Sequence, residues 1–321
     1  MKQKFAGLIF TALSIYCMTA SVHAAEQLIP VGEVIGLEVR SGTVTVAAFD
    51  ETLTVARDAG VRIGDEIVSI DDVDVDSADD VRSALNHSDG AVDLVVSRSG
   101  ETRTIHMEPE ITAAGPKLGV YLRQGITGIG TVTFYDPQTD TFGALGHAVS
   151  DGKGQLLNMT RGSAYPATVV SVEKGKSGHP GQLKGGLKNN QLLGTLTENT
   201  SRGIFGTAPD AWSGEAIPVA AFDQVRTGEA AIRSTIDGGA PRDYSVEILK
   251  IYPKDRADGR NLLIRVTDPV LLAATGGIVQ GMSGSPIIQD GKLVGAVTHV
   301  LVNDPTRGYG IFIENMLEAA E

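Results

Sequence analysis

Short runs in which apolar and polar residues alternate make up most of the chain after its first two dozen residues. Within residues 28–109 the alternation is interrupted over 77–85, a helical stretch that begins behind Ser77, a typical N-cap residue. From 117 to 321 many short β-like runs are separated by Gly-rich turns, and no long amphipathic pattern precedes 313–320. Regularly spaced short strands predict a mainly β protein whose second part is a barrel or a sandwich.

The chain of 321 residues is too long for one ordinary hydrophobic core. Pro and Gly stand among small residues over 110–116, a composition typical of a linker. We therefore predict a first domain at 28–109, the linker at 110–116 and a second domain at 117–321.

The first 24 residues have the pattern of a signal peptide. Lys2 and Lys4 give a charged start, 5–22 is mostly apolar, and small residues stand at Val22 and Ala24, where a signal peptidase reads the chain. An uncleaved apolar run of this length is near the lower limit for crossing a bilayer, so a retained membrane anchor is the alternative. Either way the pattern predicts an exported protein, periplasmic or secreted.

Charge and cysteine content exclude several classes of function. The net charge is −12, and the acidic residues are spread along the chain, so no basic face is available for nucleic acid. The single cysteine, Cys17, lies in the predicted leader, which excludes a cysteine nucleophile and cysteine-bound zinc in the mature chain. The acidic tract 71–76 lacks the Gly and Glu of a calcium loop. We predict neither a metal nor a cofactor.

Two segments of the first domain resemble a PDZ domain. Residues 59–70 resemble its centre, where a turn that contains Gly is followed by a strand and then by the peptide-binding helix. Residues 31–39 stand where that family has its carboxylate-binding loop, which would end at Gly36, Leu37, Glu38 and Val39. Such a loop presents backbone N–H groups to a peptide C-terminus, and the next strand edge accepts the peptide. An ordinary β-hairpin is the alternative for 31–39.

A Gly-lined loop near the C-terminus carries a serine. The segment Gly281-x-Ser283-Gly284-x-Pro286 allows the close turn that exposes a nucleophilic hydroxyl, and it matches the serine motif of trypsin-like proteases. By that template the N–H groups of Gly281 and Ser283 form the oxyanion hole. A Gly-Ser-rich turn beside a strand is the competing interpretation.

A serine nucleophile needs a base, and His147 stands about one barrel's length before Ser283. The other histidines fit less well: His106 belongs to the first domain, His179 lies in a Gly-Pro loop, and His299 follows a hairpin strand, where it would line the substrate cleft. The order and spacing favour His147.

The stretch 276–317, with 143–151 and 203–206, closely resembles the SpoIVB-type serine peptidases of spore-forming bacteria. The resemblance implies a PDZ domain followed by a trypsin-like double β-barrel, cleavage of peptide bonds outside the cytoplasm, and a signalling role that often includes self-cleavage. Carried over by position, His147 is the base, Ser283 the nucleophile and Asp268 the acid.

The identity of the acid stays open, because trypsin-like proteases usually place it far from the serine in sequence, whereas Asp268 precedes Ser283 by a short segment. The other candidates are Asp151, Asp210 and Asp223. Sequence alone does not choose among them.

The sequence thus predicts an exported serine endopeptidase that acts on a protein or peptide and binds a peptide C-terminus at its PDZ domain. Gly277, six residues before Ser283, offers no charge that would select a basic side chain. Two alternatives remain: a non-catalytic scaffold of the same fold, and a peptidase whose principal reaction is self-cleavage. A cleavable leader fits release of the protein into a periplasm or the exterior better than attachment inside a spore. We therefore infer the peptidase chemistry from the family resemblance, but not the sporulation role of the family.

Overall fold

The computed structural model describes residues 27–151 and 154–320, so the predicted leader and Cys17 lie outside the described residues. The first strands along the chain are β1 Gln27–Pro30, β2 Val34–Phe49, β3 Glu66–Ile70, β4 Val73–Asp74, β5 Val92–Arg98, β6 Glu101–Met107, β7 Glu110–Thr112, β8 Gly115–Lys117, β9 Val120–Asp136 and β10 Thr141–Ala144. The later strands are β11 Arg161–Glu173, β12 Gln182–Leu187, β13 Gly194–Thr200, β14 Gly203–Thr207, β15 Ile217–Pro218, β16 Gly228–Ser234, β17 Arg242–Ile251, β18 Leu262–Val266, β19 Pro286–Gln289, β20 Lys292–Leu301 and β21 Asp304–Phe312. The helices are α1 Val55–Asp58, α2 Ala78–His87, the 3₁₀ turn Phe222–Gln224, α3 Pro269–Thr275 and α4 Ile313–Leu317.

A first barrel closes through β9, β10, β14, β13, β11 and β2, because β2 pairs with both β11 and β9. Alternate residues of these strands point inward, as expected for a barrel. The interior contains Ile35, Val132 and Ile204, and Trp212 packs against Tyr135 and Phe142 in edge-to-face contacts. Burial of these aromatic and branched side chains is the main stabilising contribution here.

A second closed barrel is formed by β16, β17, β18, β21, β20 and β19. Its core is made of branched aliphatic residues such as Ile232, Val246 and Ile264, each almost fully buried. The two barrels together confirm the predicted double-barrel fold. At the C-terminal amphipathic stretch 313–320 the structure has the short helix α4.

A PDZ unit with its own core is built from the second half of β2, the first half of β9, and β3, β5 and β6, with α2 packed against the sheet. Ser77 caps α2: its Oγ accepts a hydrogen bond from the Asp80 N–H at 3.0 Å and donates to the Asp80 carboxylate at 2.7 Å. This reciprocal cap explains why the helix begins where the sequence predicted.

The two long strands β2 and β9 join the PDZ unit to the first barrel. In the barrel Val34 pairs with Thr131, and in the PDZ unit Phe49 pairs with Val120. Between these stretches Gly125 has φ +68°, and a side chain there would come within 1.8 Å of the Val39 carbonyl oxygen. The PDZ unit is therefore an insertion at the end of a barrel hairpin, joined by a hydrogen-bonded ribbon.

This topology corrects the predicted boundaries. Strand β1 and the first half of β2 belong to the first barrel, where Ile29 and Ile35 are buried in its core. The predicted linker 110–116 instead forms most of the β7–β8 hairpin beside α2. Pro and Gly suit tight hairpins as well as linkers, and alternation identifies a strand without identifying its partner. No helix in the described ranges is long and apolar enough to cross a membrane.

Candidate active site

The loop that carries Ser283 lies between α3 and β19, at the junction of the two barrels. Gly284 has φ +97°, and an added side chain would come within 1.9 Å of the Thr131 carbonyl oxygen. Only glycine fits this position without moving the backbone. The second glycine of the serine motif is thus required by close contact with the first barrel.

Strand β9 holds this loop in place. The Thr131 N–H donates to the Ser283 carbonyl at 3.1 Å, and the Thr131 hydroxyl donates to the Gly281 carbonyl at 2.8 Å. The Thr133 hydroxyl donates to the Gly284 carbonyl at 2.8 Å. With its carbonyls turned toward β9, the loop leaves the N–H groups of Gly281 and Ser283 without acceptors in the described part of the chain. These are the two groups predicted for the oxyanion hole.

His147 follows β10 in a tight turn in which Leu145 and Gly146 both have positive φ. Its Nδ1 lies 2.8 Å from the Ala148 carbonyl oxygen, which can only accept, so Nδ1 carries the proton and Nε2 is the free acceptor. Burial lowers the pKa of His147 below its usual value. At neutral pH the ring is therefore an uncharged base with Nε2 available.

Ser283 and His147 line one cavity of about 590 Å³ between the barrels. The Ser283 hydroxyl donates to the Thr298 carbonyl at 2.7 Å in this structure. Thr298 lies at a register shift in the pairing of β20 with β21. Such a bulge redirects the backbone groups of one strand, here toward the serine.

His299 stands beside His147 in the same cavity, with ring centroids 5.1 Å apart and the planes tilted by 42°. Burial and the neighbouring His147 and Arg260 lower the pKa of His299 to about 4, against a smaller opposing effect of Asp258. The ring is uncharged at neutral pH. Its Nδ1 is buried without a hydrogen-bond partner in the described residues.

Asp268 does not join this cavity. Its carboxylate caps α3, accepting from the Val270 and Leu271 N–H groups at 2.8 and 3.0 Å. Within the described residues it makes no hydrogen bond or ion pair with His147, so the structure gives the predicted acid a different role. An Asp followed by Pro at the start of an apolar run is a helix N-terminus signature, and this signal was present in the sequence.

The alternative acids also lie elsewhere. Asp151 accepts from the Gln155 N–H in a turn, Asp210 lies beside Tyr135, and Asp223 is in the 3₁₀ turn. Among the described residues, no carboxylate lines the cavity that contains His147.

Sequence reasoning missed three polar residues that position the site. Thr131 anchors the serine loop and Thr298 binds the serine hydroxyl, as described above. Asn199 holds the segment after His147, because its side-chain amide accepts from the Val149 N–H and donates to the Val149 carbonyl, both at 2.8 Å. No local motif marks these residues, since their partners are distant in sequence.

The predicted carboxylate-binding loop, Gly36 to Val39, is wrong as a peptide site. These residues lie in the interior of β2, where Gly36 pairs with Ile129 on one side and with Tyr165 on the other. A strand with both edges paired has no backbone groups free for a peptide. Leu37 and Val39 instead line the cavity of Ser283.

A different groove in the PDZ unit has the shape expected for a peptide. It holds about 320 Å³ between α2, which contributes Val81 and Leu85, and the start of β9, which contributes Val120 and Leu122. Over Val120–Gln124, β9 pairs only with β2 in the described structure, so its other edge is open. Gly119, with φ +73°, turns the chain into this strand.

The double barrel, the serine loop and the PDZ unit define a serine peptidase with a PDZ domain. The chain belongs to the SpoIVB peptidase S55 family, whose model matches residues 115–317, and a PDZ domain model matches 54–98. Both findings confirm the predicted family. No curated protein matches the sequence.

The chain is also similar to solved structures of the Rv3671c protease of M. tuberculosis. The active form is 15% identical with a TM-score of 0.38, over 60% of this chain and 72% of that chain. The inactive form is 15% identical with a TM-score of 0.35, over 60% of this chain and 82% of that chain.

Proposed function

We propose that this peptidase is an exported endopeptidase that cleaves peptide bonds through an acyl-enzyme on Ser283, with His147 as the general base. The observation that carries the proposal is the shared cavity: its lining residues bring a serine hydroxyl, an uncharged imidazole with Nε2 available, and two backbone N–H groups that have no acceptor among the described residues. These are the parts that acyl transfer requires.

The reaction begins when the Ser283 hydroxyl leaves the Thr298 carbonyl. Breaking this neutral hydrogen bond costs about 1 kcal/mol, which substrate binding readily offsets. His147 Nε2 takes the hydroxyl proton as Oγ attacks the peptide carbonyl carbon, and the oxyanion is stabilised by the Gly281 and Ser283 N–H groups. The imidazolium then gives its proton to the departing amine. Water attacks the resulting ester with His147 again as base, which releases the acid and restores Ser283.

The cavity also indicates the class of substrate side chain. Its described lining contains no Lys, Arg, Asp or Glu and is largely aliphatic, with Ile126, Ile129, Val279 and Val300 among its members. Burying a charged side chain there without a partner would be costly. We therefore expect cleavage next to apolar residues.

A serine-reactive fluorophosphonate tests the proposal on the purified mature chain. We expect the intact mass to increase by one adduct for the wild type and to stay unchanged for Ser283→Ala and His147→Ala. If the wild type stays unlabelled although circular dichroism shows that it is folded and candidate PDZ peptides are present, the result would instead favour the scaffold alternative.

Sequencing the N-terminus of the secreted protein distinguishes a cleaved leader from a retained anchor. A shortened form that depends on Ser283 would demonstrate self-cleavage.

We further propose that the PDZ groove binds the C-terminal segment of a protein partner as an added strand. The support is the open edge of β9 over Val120–Gln124 opposite the apolar face of α2. Peptides with an apolar last residue and a free carboxylate should bind more tightly than the same peptides with an amidated end, as measured by fluorescence anisotropy.

A further inference from the structure

Among the described residues that line the active-site cavity, none is the carboxylate that usually supports a catalytic histidine. In a Ser-His-Asp arrangement the carboxylate fixes the imidazole tautomer and stabilises its charged form. Here the tautomer of His147 is fixed by the Ala148 carbonyl, and no carboxylate among the described residues lines the cavity. The positive charge that forms on His147 during acyl transfer needs another stabilising neighbour.

The imidazole ring of His299 packs against that of His147, with the ring centroids 5.1 Å apart. The Nδ1 atom of His299 is buried and has no hydrogen-bond partner in the described structure. The register shift at Thr298 accounts for the placement of two residues of the site: it turns the Thr298 carbonyl toward the Ser283 hydroxyl, and His299 follows directly after the bulge.

The surroundings of His299 keep its ring uncharged. The charged groups that act on it are Arg260, whose guanidinium lies 5.1 Å from the Tyr309 ring centroid, and Asp258, whose carboxylate is already bound by Arg256. A neutral imidazole has one ring nitrogen that accepts a hydrogen bond, and the lone pair of this nitrogen attracts positive charge. It can therefore stabilise an adjacent imidazolium without taking its proton.

We propose that His299 is the positioning residue of this active site: its neutral ring holds the His147 ring in the cavity and stabilises the imidazolium, in place of a carboxylate. The proposal rests on the proposed roles of Ser283 and His147. The proton of Ser283 still passes to His147 Nε2 and from there to the leaving amine, while His299 remains neutral throughout.

The test compares His299→Ala, His299→Phe and His299→Asn in the full mature chain. We expect the Ala and Phe variants to be labelled by the fluorophosphonate about 100-fold more slowly than the wild type, a typical loss for acid–base support, yet to reach complete labelling. Asn restores a dipole and an acceptor, so it should recover part of the rate. Phe is the matched control for packing, because it fills the space of the ring without an acceptor.

A pH profile supplies a measurement that a purely structural role would not change. His299→Phe keeps the cavity packed and removes the acceptor nitrogen, so the charged form of His147 loses a stabilising neighbour and its lowered pKa should fall further. The acid limb of the labelling rate should therefore move to lower pH in His299→Phe. A packing role alone would be retained by Phe and would leave the limb in place, and a change in folding would reduce the labelled fraction.

The outcomes separate the two proposals. If the wild type is not labelled, the proposed function fails, and the role of His299 fails with it. If the wild type is labelled and His299→Ala or the folded Phe variant is labelled equally fast, the role of His299 alone is overturned. Thermal unfolding of each variant identifies any that is not folded.

Discussion

The peptidase presents two grooves along one strand, and they differ in what the strand contributes. Over Val120–Gln124, β9 offers an open edge, so recognition there depends on backbone groups and a broad apolar wall. Over Ile126–Thr131 the same strand, still paired with β2, anchors the serine loop at Thr131, so chemistry there depends on a few side-chain atoms.

This difference predicts how each groove responds to mutation. Backbone recognition spreads binding energy over many weak contacts, so single substitutions should produce graded effects. Acyl transfer concentrates its requirements on single atoms, and their loss should be nearly complete. Four predictions follow from this contrast, beginning with the largest effect.

Ser283→Ala should lower peptide cleavage by at least about 10³-fold, because no other described hydroxyl occupies its place. The PDZ groove should bind its peptide unchanged. Ser285→Ala is the matched control, since Ser285 is buried and donates to the Ser234 hydroxyl at 3.0 Å. It should lose about 1 kcal/mol of stability and keep its activity. Cleavage assays and chemical unfolding measure both effects, and an active Ser283→Ala protein, free of contaminants, would contradict the assignment.

Gly284→Ala should displace the serine loop, because the new side chain would clash with the Thr131 carbonyl. We expect cleavage to fall on the order of 100-fold, as for a small misplacement of a catalytic group. Gly291→Ala is the control: its φ is also positive, at +74°, but nothing lies within 4 Å. That variant should cost about 1 kcal/mol of stability with normal activity. Equal activity losses in the two variants would show that backbone strain, and not the contact with β9, is responsible.

Acid should inactivate the enzyme through His147 and destabilise it through His299. Because burial lowers the pKa of His147, the rate should stay high below pH 6.5 and fall about tenfold per pH unit only below the lowered pKa. The pKa of His299 is lowered to about 4, so the unfolded chain binds this proton first and stability should decline between pH 6.5 and pH 4. Rate profiles and melting temperatures test the two parts, and a melting temperature that rises with acid would contradict the second.

Arg82→Ala should have the smallest effect. Arg82 lines the PDZ groove and is largely exposed in an ion pair with Asp79. Its loss should weaken binding of an acidic C-terminus only about twofold to fivefold, as for an exposed charge pair, with fluorophosphonate labelling unchanged. Asp79→Ala, which leaves the groove wall intact, should bind at least as well as the wild type. A complete loss of peptide binding in Arg82→Ala would contradict the proposal that the PDZ groove binds through many weak contacts.

The sequence predicts best those features that depend on neighbouring residues. The strands, the N-cap at Ser77 and the Gly-Ser-Gly loop are local patterns, and the structure contains each of them. The domain boundary and the position of the peptide groove depend on the partner strands of β2. The alternation of apolar and polar residues identifies a strand but does not identify its partners. Asp268 was assigned by resemblance, whereas its local context already matched a helix cap.

The paired ribbon of β2 and β9 also determines how a smaller catalytic protein would have to be constructed. A gene fragment starting at residue 115, where the family model begins, would lack β1 and β2 and leave the first barrel open. Val39 and Ile126 are direct partners in the ribbon, so a two-residue Asn-Gly turn between them could replace the PDZ unit. The minimal catalytic chain is therefore discontinuous in sequence, residues 27–39 joined to 126–320, and its gene is obtained by excision from the middle and not by truncation at the end.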